Sequence, residues 1–151
     1  MMLNYYQIEQ FTRRIADLFD SNNISYILLK GISLAAFYPV PEYRKLGDVD
    51  IYINDKEMFN RASALLLANG YKKDDEISDH HQGYLYKVPQ TGRTMIWELN
   101  YRIVGLYQYA TANKIVDAAF ASDAFTPIIQ KVNDRSYPVL PPTEYTFYMI
   151  H

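Results

Sequence analysis

The sequence predicts an α+β domain (α/β mixed), and three observations carry that prediction. From Ile8 to Phe19, apolar side chains return at the spacing of a helix with one buried stripe. Asp48 to Ile53 alternates polar and apolar residues, the period of a strand. Tyr84 to Val88 and Thr94 to Ile103 are apolar runs joined through Pro89-Gln90-Thr91-Gly92, the composition of an antiparallel hairpin.

The first helix buries Ile8, Phe11, Ile15, Leu18 and Phe19, leaves Arg13, Arg14 and Asp17 off that face, and ends at Ser21-Asn22-Asn23. Ile24 to Leu29 reads as a short buried strand, broken by Lys30-Gly31. Ile32 to Tyr38 reads as a short helix stopped by Pro39 and Pro41, and Glu42 to Gly47 as a charged loop. Along Asp48 to Ile53, Val49, Ile51 and Ile53 face one way while Asp48, Asp50 and Tyr52 face the other. Asn54 or Asp55 then caps a helix whose apolar face is Met58, Phe59, Ala62, Leu65 and Leu66, with Gly70 as its stop. After the hairpin come a helix around Gln108 to Ala121, a short strand near Ser136 to Leu140, and a helix launched by Pro141-Pro142. Residues 1–140 read as one domain. Residues 141–151 read as the start of a C-terminal helical region, expected to be truncated because the chain stops in an apolar stretch.

A chain of 151 residues can bury one real core. With 15 basic residues against 17 acidic ones, it has no excess of positive charge and no DNA-binding signature; any nucleotide or RNA contact must be local. Without cysteine there is no disulfide, no Cys-based zinc site and no thiol catalysis. No segment approaches the roughly 20 apolar residues that span a bilayer, and the N-terminus lacks the order of a signal peptide. We read a soluble cytoplasmic protein with no membrane partner.

Asp48 and Asp50 lie at i and i+2 on one strand face, where two like charges repel unless a cation sits between them. Such a pair is a natural cradle for a hard divalent ion that shares its ligands with phosphates; its bland reading is the solvated face of an edge strand. Two further features bear on that choice. Lys30-Gly31 lies between a strand and a helix, where backbone N–H groups and a lysine suit a phosphate, although the same residues make an ordinary turn. Glu98 shares a face with Ile96, Asn100 and Arg102 in an otherwise apolar strand, opposite Met95, Trp97, Leu99 and Tyr101. It reads as a third metal ligand or general base, or as the partner of Arg102 or Lys87 in a salt bridge.

Taken in order, Leu28-Leu29-Lys30-Gly31-Ile32-Ser33-Leu34-Ala35, Tyr38-Pro39, Arg44 and Gly47-Asp48-Val49-Asp50-Ile51 form a recognisable pattern. It resembles the uncharacterised nucleotidyltransferase family of the DNA polymerase β-like nucleotidyltransferase superfamily, in which a Lys-Gly turn precedes an Arg in a loop and Asp-Ile-Asp on the next strand. Trp97-Glu98-Leu99-Asn100-Tyr101-Arg102 is similar to that family's Glu-Leu-His-Trp-Arg stretch, with Glu98 on the third acidic position. Asn100 and Tyr101 depart from it, standing where the family has His and Trp. The resemblance implies a mixed β-sheet with helices packed on it. It also implies transfer of a nucleoside monophosphate from a nucleoside triphosphate, ATP being the expected one, to a hydroxyl acceptor: a small molecule, a protein or an RNA. Asp48, Asp50 and Glu98 would be the catalytic and metal-binding residues, holding Mg²⁺ or Mn²⁺. Lys30, Gly31 and Arg44 would face the phosphates.

Other residues carry less. Asp79-His80-His81 could contribute a metal ligand or a base, but neighbouring strand residues point to opposite faces, so the two imidazoles would not easily share an ion and the triplet reads as a polar loop before a strand. Trp97 reads as core, and Tyr52 as a surface tyrosine or a flank for the nucleotide. Two rival functions stay open. An Asp-x-Asp glycosyltransferase would also bind a metal with a nucleotide-sugar, but gives the Lys-Gly turn no role. A degenerate member of the fold acting as a binding or regulatory, antitoxin-like partner is favoured by Asn100 and opposed by the three retained acids.

Overall fold

The computed structural model describes residues 2–29 and 49–150. The expected Ile32–Tyr38 helix and the loop after it lie outside the described residues, as do Lys30, Gly31, Arg44 and Asp48. In chain order the described elements are α1 (Met2–Ser21), β1 (Ile27–Leu28), β2 (Val49–Tyr52), α2 (Lys56–Ala68), β3 (Lys72–Lys73), β4 (His81–Lys87), β5 (Thr94–Asn100), α3 (Ala110–Ala119), β6 (Ile128–Val132), β7 (Arg135–Val139) and α4 (Pro142–Met149). Among the described residues no helix is long and apolar enough to cross a membrane.

The strands form one mixed sheet in the order β3-β4-β5-β2-β1-β7-β6. β2 pairs parallel with β5 and antiparallel with β1, so it sits in the middle of the sheet with a neighbour on each side. Strand alternation then sends successive side chains into two separate apolar layers. Leu28, Val49, Ile51, Ile53, Trp97, Leu99, Tyr137 and Val139 join α1 and α2 in one layer. Leu29, Tyr52 and Leu140 join Val116 and Phe120 in the other, against which Tyr145, Phe147 and Tyr148 of α4 pack.

The helices follow their sequence signals. α1 buries Ile8, Phe11, Ile15 and Phe19. It is tied to the β6–β7 turn by the buried Glu9 carboxylate, which accepts from Arg13 (2.9 Å) and Asn133 (2.9 Å). α2 is capped by Asp55, whose carboxylate accepts from the Met58 N–H at 2.9 Å. This satisfies one of the donors that a helix start leaves open. Asn54, the alternative cap, instead donates to the Phe120 carbonyl at 2.9 Å.

Three expectations need correction. β5 stops at Asn100 instead of Ile103. The N–H groups of Tyr101 and Arg102 both turn to the His80 carbonyl, at 2.9 and 3.2 Å, and the chain bends away from the ladder. β3 and β6 were not foreseen. β3 is two exposed lysines at a sheet edge, and β6 is an edge strand whose Ile128 and Ile129 stay exposed, so neither shows an inward–outward alternation. The helix expected over Gln108 to Ala121 is shorter, Ala110–Ala119.

Candidate functional site

Parallel pairing of β2 with β5 sets Asp50 beside Glu98. Adjacent strands run about 4.8 Å apart, so the two carboxylates leave the same sheet face as immediate neighbours. All four residues of β2 are buried, and Asp50 is 3% exposed. The solvated-edge reading of Asp50 is therefore wrong: its strand is central and both its faces are covered. An ionised group at such a place is costly unless hydrogen bonds or a cation offset the loss of water.

A cavity of about 380 Å³ opens over the pair, lined by Asp50, Glu98, Asn100, His80 and Tyr148, with Ile103 to Gly105 and Met149 at its rim. That volume is within the range of small-molecule sites. A larger hollow of about 760 Å³ runs along β6 and α4, but its walls are mainly apolar and hold no carboxylate. The carboxylates line the smaller one.

Asn100 and Tyr148 help to build the walls, and Arg102 holds the rim from outside. Asn100 is buried and its amide donates to the carbonyls of Ile51 and Glu98, both at 3.2 Å, so it ties the two acid-bearing strands together. Tyr148 reaches over from α4, its hydroxyl donating to Asp50 Oδ2 at 3.4 Å. Burial first, and then the negative charge of Asp50, raise the Tyr148 phenol well above its ordinary value, so it stays a neutral donor. Arg102 is not the partner of Glu98. Its guanidinium donates to Asp117 (2.9 Å), Asn113 (3.1 Å) and the carbonyls of Val104 (2.6 Å) and Gly105 (2.8 Å). That fork fastens the cavity rim to α3, a planar multi-donor task suited to arginine.

His81 faces Glu98, Nε2 to Oε1 at 3.7 Å. Tyr52 takes neither of its expected roles. It is buried and donates to the Phe120 carbonyl at 2.8 Å, with its phenol pushed up to about 12 chiefly by burial. Trp97 is core, as expected.

Of the six residues singled out from sequence, Asp50 and Glu98 come together at this cavity; Asp48, Lys30, Gly31 and Arg44 lie outside the described residues. Sequence reasoning missed Tyr148, which sits in an apolar helical run, and favoured a polar loop over a ligand or base at His80 and His81. The only signal for the histidines was their position just ahead of a strand that pairs with the one bearing Glu98.

Comparison with known proteins agrees with the fold. A solved structure of an antigenic nucleotidyltransferase-like protein from Paracoccidioides brasiliensis superposes with a TM-score of 0.54 at 17% identity. The match covers 93% of this chain and 61% of that one, so this chain spans less than two thirds of its length. No protein of curated function matches the sequence. A family model described as uncharacterised nucleotidyltransferase matches residues 4–151, and the chain belongs to that family.

Proposed function

We propose that this protein is a metal-dependent nucleotidyltransferase, moving a nucleoside monophosphate from a nucleoside triphosphate to a hydroxyl acceptor. The observation that carries the reading is the pairing of a buried Asp50 on the central strand with Glu98 at one cavity. A sheet gains no stability from two adjacent carboxylates there, whereas a cation between them removes their repulsion.

The donor set fits Mg²⁺ or Mn²⁺. Mg²⁺ takes oxygen ligands only, commonly one or two carboxylates, with water and phosphate oxygens completing its shell. Among the described residues no third carboxylate or imidazole joins the pair in a ligating group; we assign that place to Asp48, by its spacing in the sequence. A bound cation neutralises phosphate charge and steadies the attacking and leaving oxygens. Asp50, in this reading, binds the metal–nucleotide and Tyr148 fixes its carboxylate. Glu98 ligates or takes the proton of the acceptor hydroxyl as the new O–P bond forms at the α-phosphorus. The bond to the leaving pyrophosphate breaks in the same displacement. Lys30, Gly31 and Arg44 are assigned to the phosphates by sequence alone.

The test is consumption of ATP and the other nucleoside triphosphates with Mg²⁺ or Mn²⁺, against Asp48→Asn, Asp50→Asn and Glu98→Gln. Turnover that survives all three substitutions in folded protein rules the reading out.

One observation favours the regulatory alternative. The Asn100 amide is committed to two backbone carbonyls where the family has a histidine. Under that reading the protein binds nucleotide weakly or not at all. Nucleotide-sugar transfer has no comparable support, since family and fold both point to nucleotidyl chemistry.

A further inference from the structure

We propose that His81 is a positioning residue for Glu98, held in place by Ser78, Asp79 and His80, so that the turn at residues 78–81 is part of the transfer site. This rests on the reading of Glu98 as metal ligand or base.

The sequence argument against the histidine pair assumed that both lie on a strand. His80 lies in the bend before β4 and His81 opens the strand, so alternation does not separate them. Their rings meet edge to face with centroids 4.5 Å apart. A string of contacts results. Asp79 Oδ1 lies 2.9 Å from His80 Nδ1, His80 Nε2 lies 3.1 Å from His81 Nδ1, and His81 Nε2 lies 3.7 Å from Glu98 Oε1. It runs from an exposed carboxylate to one at the cavity.

Register explains why His81 can reach. On the β4–β5 ladder His81 pairs with Asn100 and Gly83 with Glu98. His81 and Glu98 are thus diagonal neighbours on one sheet face, close enough for long side chains to interact. Directly opposite Glu98 is Gly83, which brings no side chain of β4 to that rung; the Asp74 side chain lies over it, 3.0 Å from where a Cβ would be.

The turn is held from several sides, as a positioning device requires. Ser78 Oγ lies 3.1 Å from Nδ1 of both histidines. It also accepts from the backbone N–H of each, at 3.3 and 3.4 Å. Asp79 Oδ2 accepts from the Leu106 N–H at 2.9 Å, which locks the turn to the cavity rim. Gly105 permits that approach, because a Cβ there would come within 3.2 Å of Asp79 Oδ1. The Tyr101 hydroxyl donates to the Ser78 carbonyl at 2.7 Å.

A nitrogen facing a carboxylate must carry the hydrogen to be attracted to it. His81 presents its Nε2 edge to Glu98 and its Nδ1 edge to Ser78 and His80. At 3.7 Å the contact is longer than a hydrogen bond. It aims the carboxylate through its field, and it has room to tighten when the site is loaded.

The test compares wild type with His81→Ala, His81→Gln and Ser78→Ala. Each is measured for kcat and KM with the nucleoside triphosphate, for Mn²⁺ affinity by titration, and for fold by thermal melting. A residue supporting a ligand in this way typically alters affinity or activity by about 10–100-fold. We expect His81→Ala to lower kcat or Mn²⁺ affinity in that range with little change in nucleotide KM. His81→Gln, whose amide can present an N–H near Nε2, should recover part of the loss, and Ser78→Ala should fall between. Relative to wild type, Glu98→Gln should move the His81 Nε2 resonance in a ¹⁵N spectrum while thermal melting shows the fold intact. If wild type turns over and folded His81→Ala matches it in kcat and Mn²⁺ affinity, the positioning role is wrong while the transfer reading stands. If wild type neither consumes nucleotide nor binds Mn²⁺, the transfer reading fails and takes the role of His81 with it.

Discussion

On β2 and β5 the residues Val49, Ile51, Trp97 and Leu99 point into a closed apolar layer, whereas Asp50, Glu98 and Asn100 between them face a cavity. The same strands make both faces. The first is sealed by α1 and α2, whose apolar stripes match it. Among the described residues the second is covered by α3 and α4, and the cavity lies over the acids. Burial on the first face holds the sheet rigid, and that rigidity fixes the spacing of Asp50 and Glu98 on the second. Removing a side chain from the first face should therefore cost stability, and removing one from the second should cost activity.

Trp97→Ala should show the largest effect, on stability. Trp97 is among the largest fully buried side chains, and such truncations cost about 3–5 kcal/mol. Chemical denaturation would read it, and a loss below about 1 kcal/mol would contradict the division between faces. Asp50→Asn should reverse that pattern. Nucleotide turnover should fall by about 100- to 1000-fold, the range seen when a charge-stabilising group is removed. The melting temperature should hold or rise, because a buried negative charge beside Glu98 is gone. A melting temperature lowered as far as in Trp97→Ala would place Asp50 with the packing residues.

Tyr148→Phe should act on the same face, more weakly. It removes one donor from Asp50, so activity should drop about 2- to 10-fold, the worth of one hydrogen bond. The metal dependence of the rate should change with it, since the phenol contacts Asp50.

The smallest effect is local and set by pH. The Asp79 carboxyl is held below the usual carboxylate value by its hydrogen bond with His80 and by the Leu106 N–H. A lowered folded value means that the contact to Leu106 is present above the unfolded value, roughly pH 4, and is lost as pH falls through the folded one. The ¹³C shift of the Asp79 carboxyl carbon should therefore titrate below about pH 4. Movement centred above pH 5 would contradict the assignment.

The sequence made one face of this comparison readable and half of the other. Alternation in Asp48 to Ile53 separates Val49 and Ile51 from Asp50 without further information, because a strand has a period of two. The same rule puts Glu98 opposite Trp97. What alternation does not contain is the neighbour relation between strands, so the Asp50–Glu98 register and the central place of β2 emerge only in the sheet. Tyr148 was illegible for a related reason. Its spacing in α4 resembles that of its apolar neighbours, and only the docking of that helix aims its hydroxyl at Asp50. Arg102, like Lys87, was only an alternative partner for Glu98, and it rested on carrying strand period past Asn100, where the chain already bends to meet His80. The histidine pair, read as a polar loop, does lie at a bend and a strand start; what the sequence does not contain is that His81 falls diagonal to Glu98 across the ladder. Both positions lie at the open end of the hairpin, where β5 ends and β4 begins, next to the cavity.

The account stands on Asp50 and Glu98 acting together on a metal–nucleotide. Calorimetric titration of ATP into wild type and into the double variant Asp50→Asn/Glu98→Gln, with and without excess Mn²⁺, tests it most directly. The account predicts saturable binding by wild type that requires Mn²⁺ and disappears in the folded double variant. Equal binding by both proteins, or none by either, would contradict it.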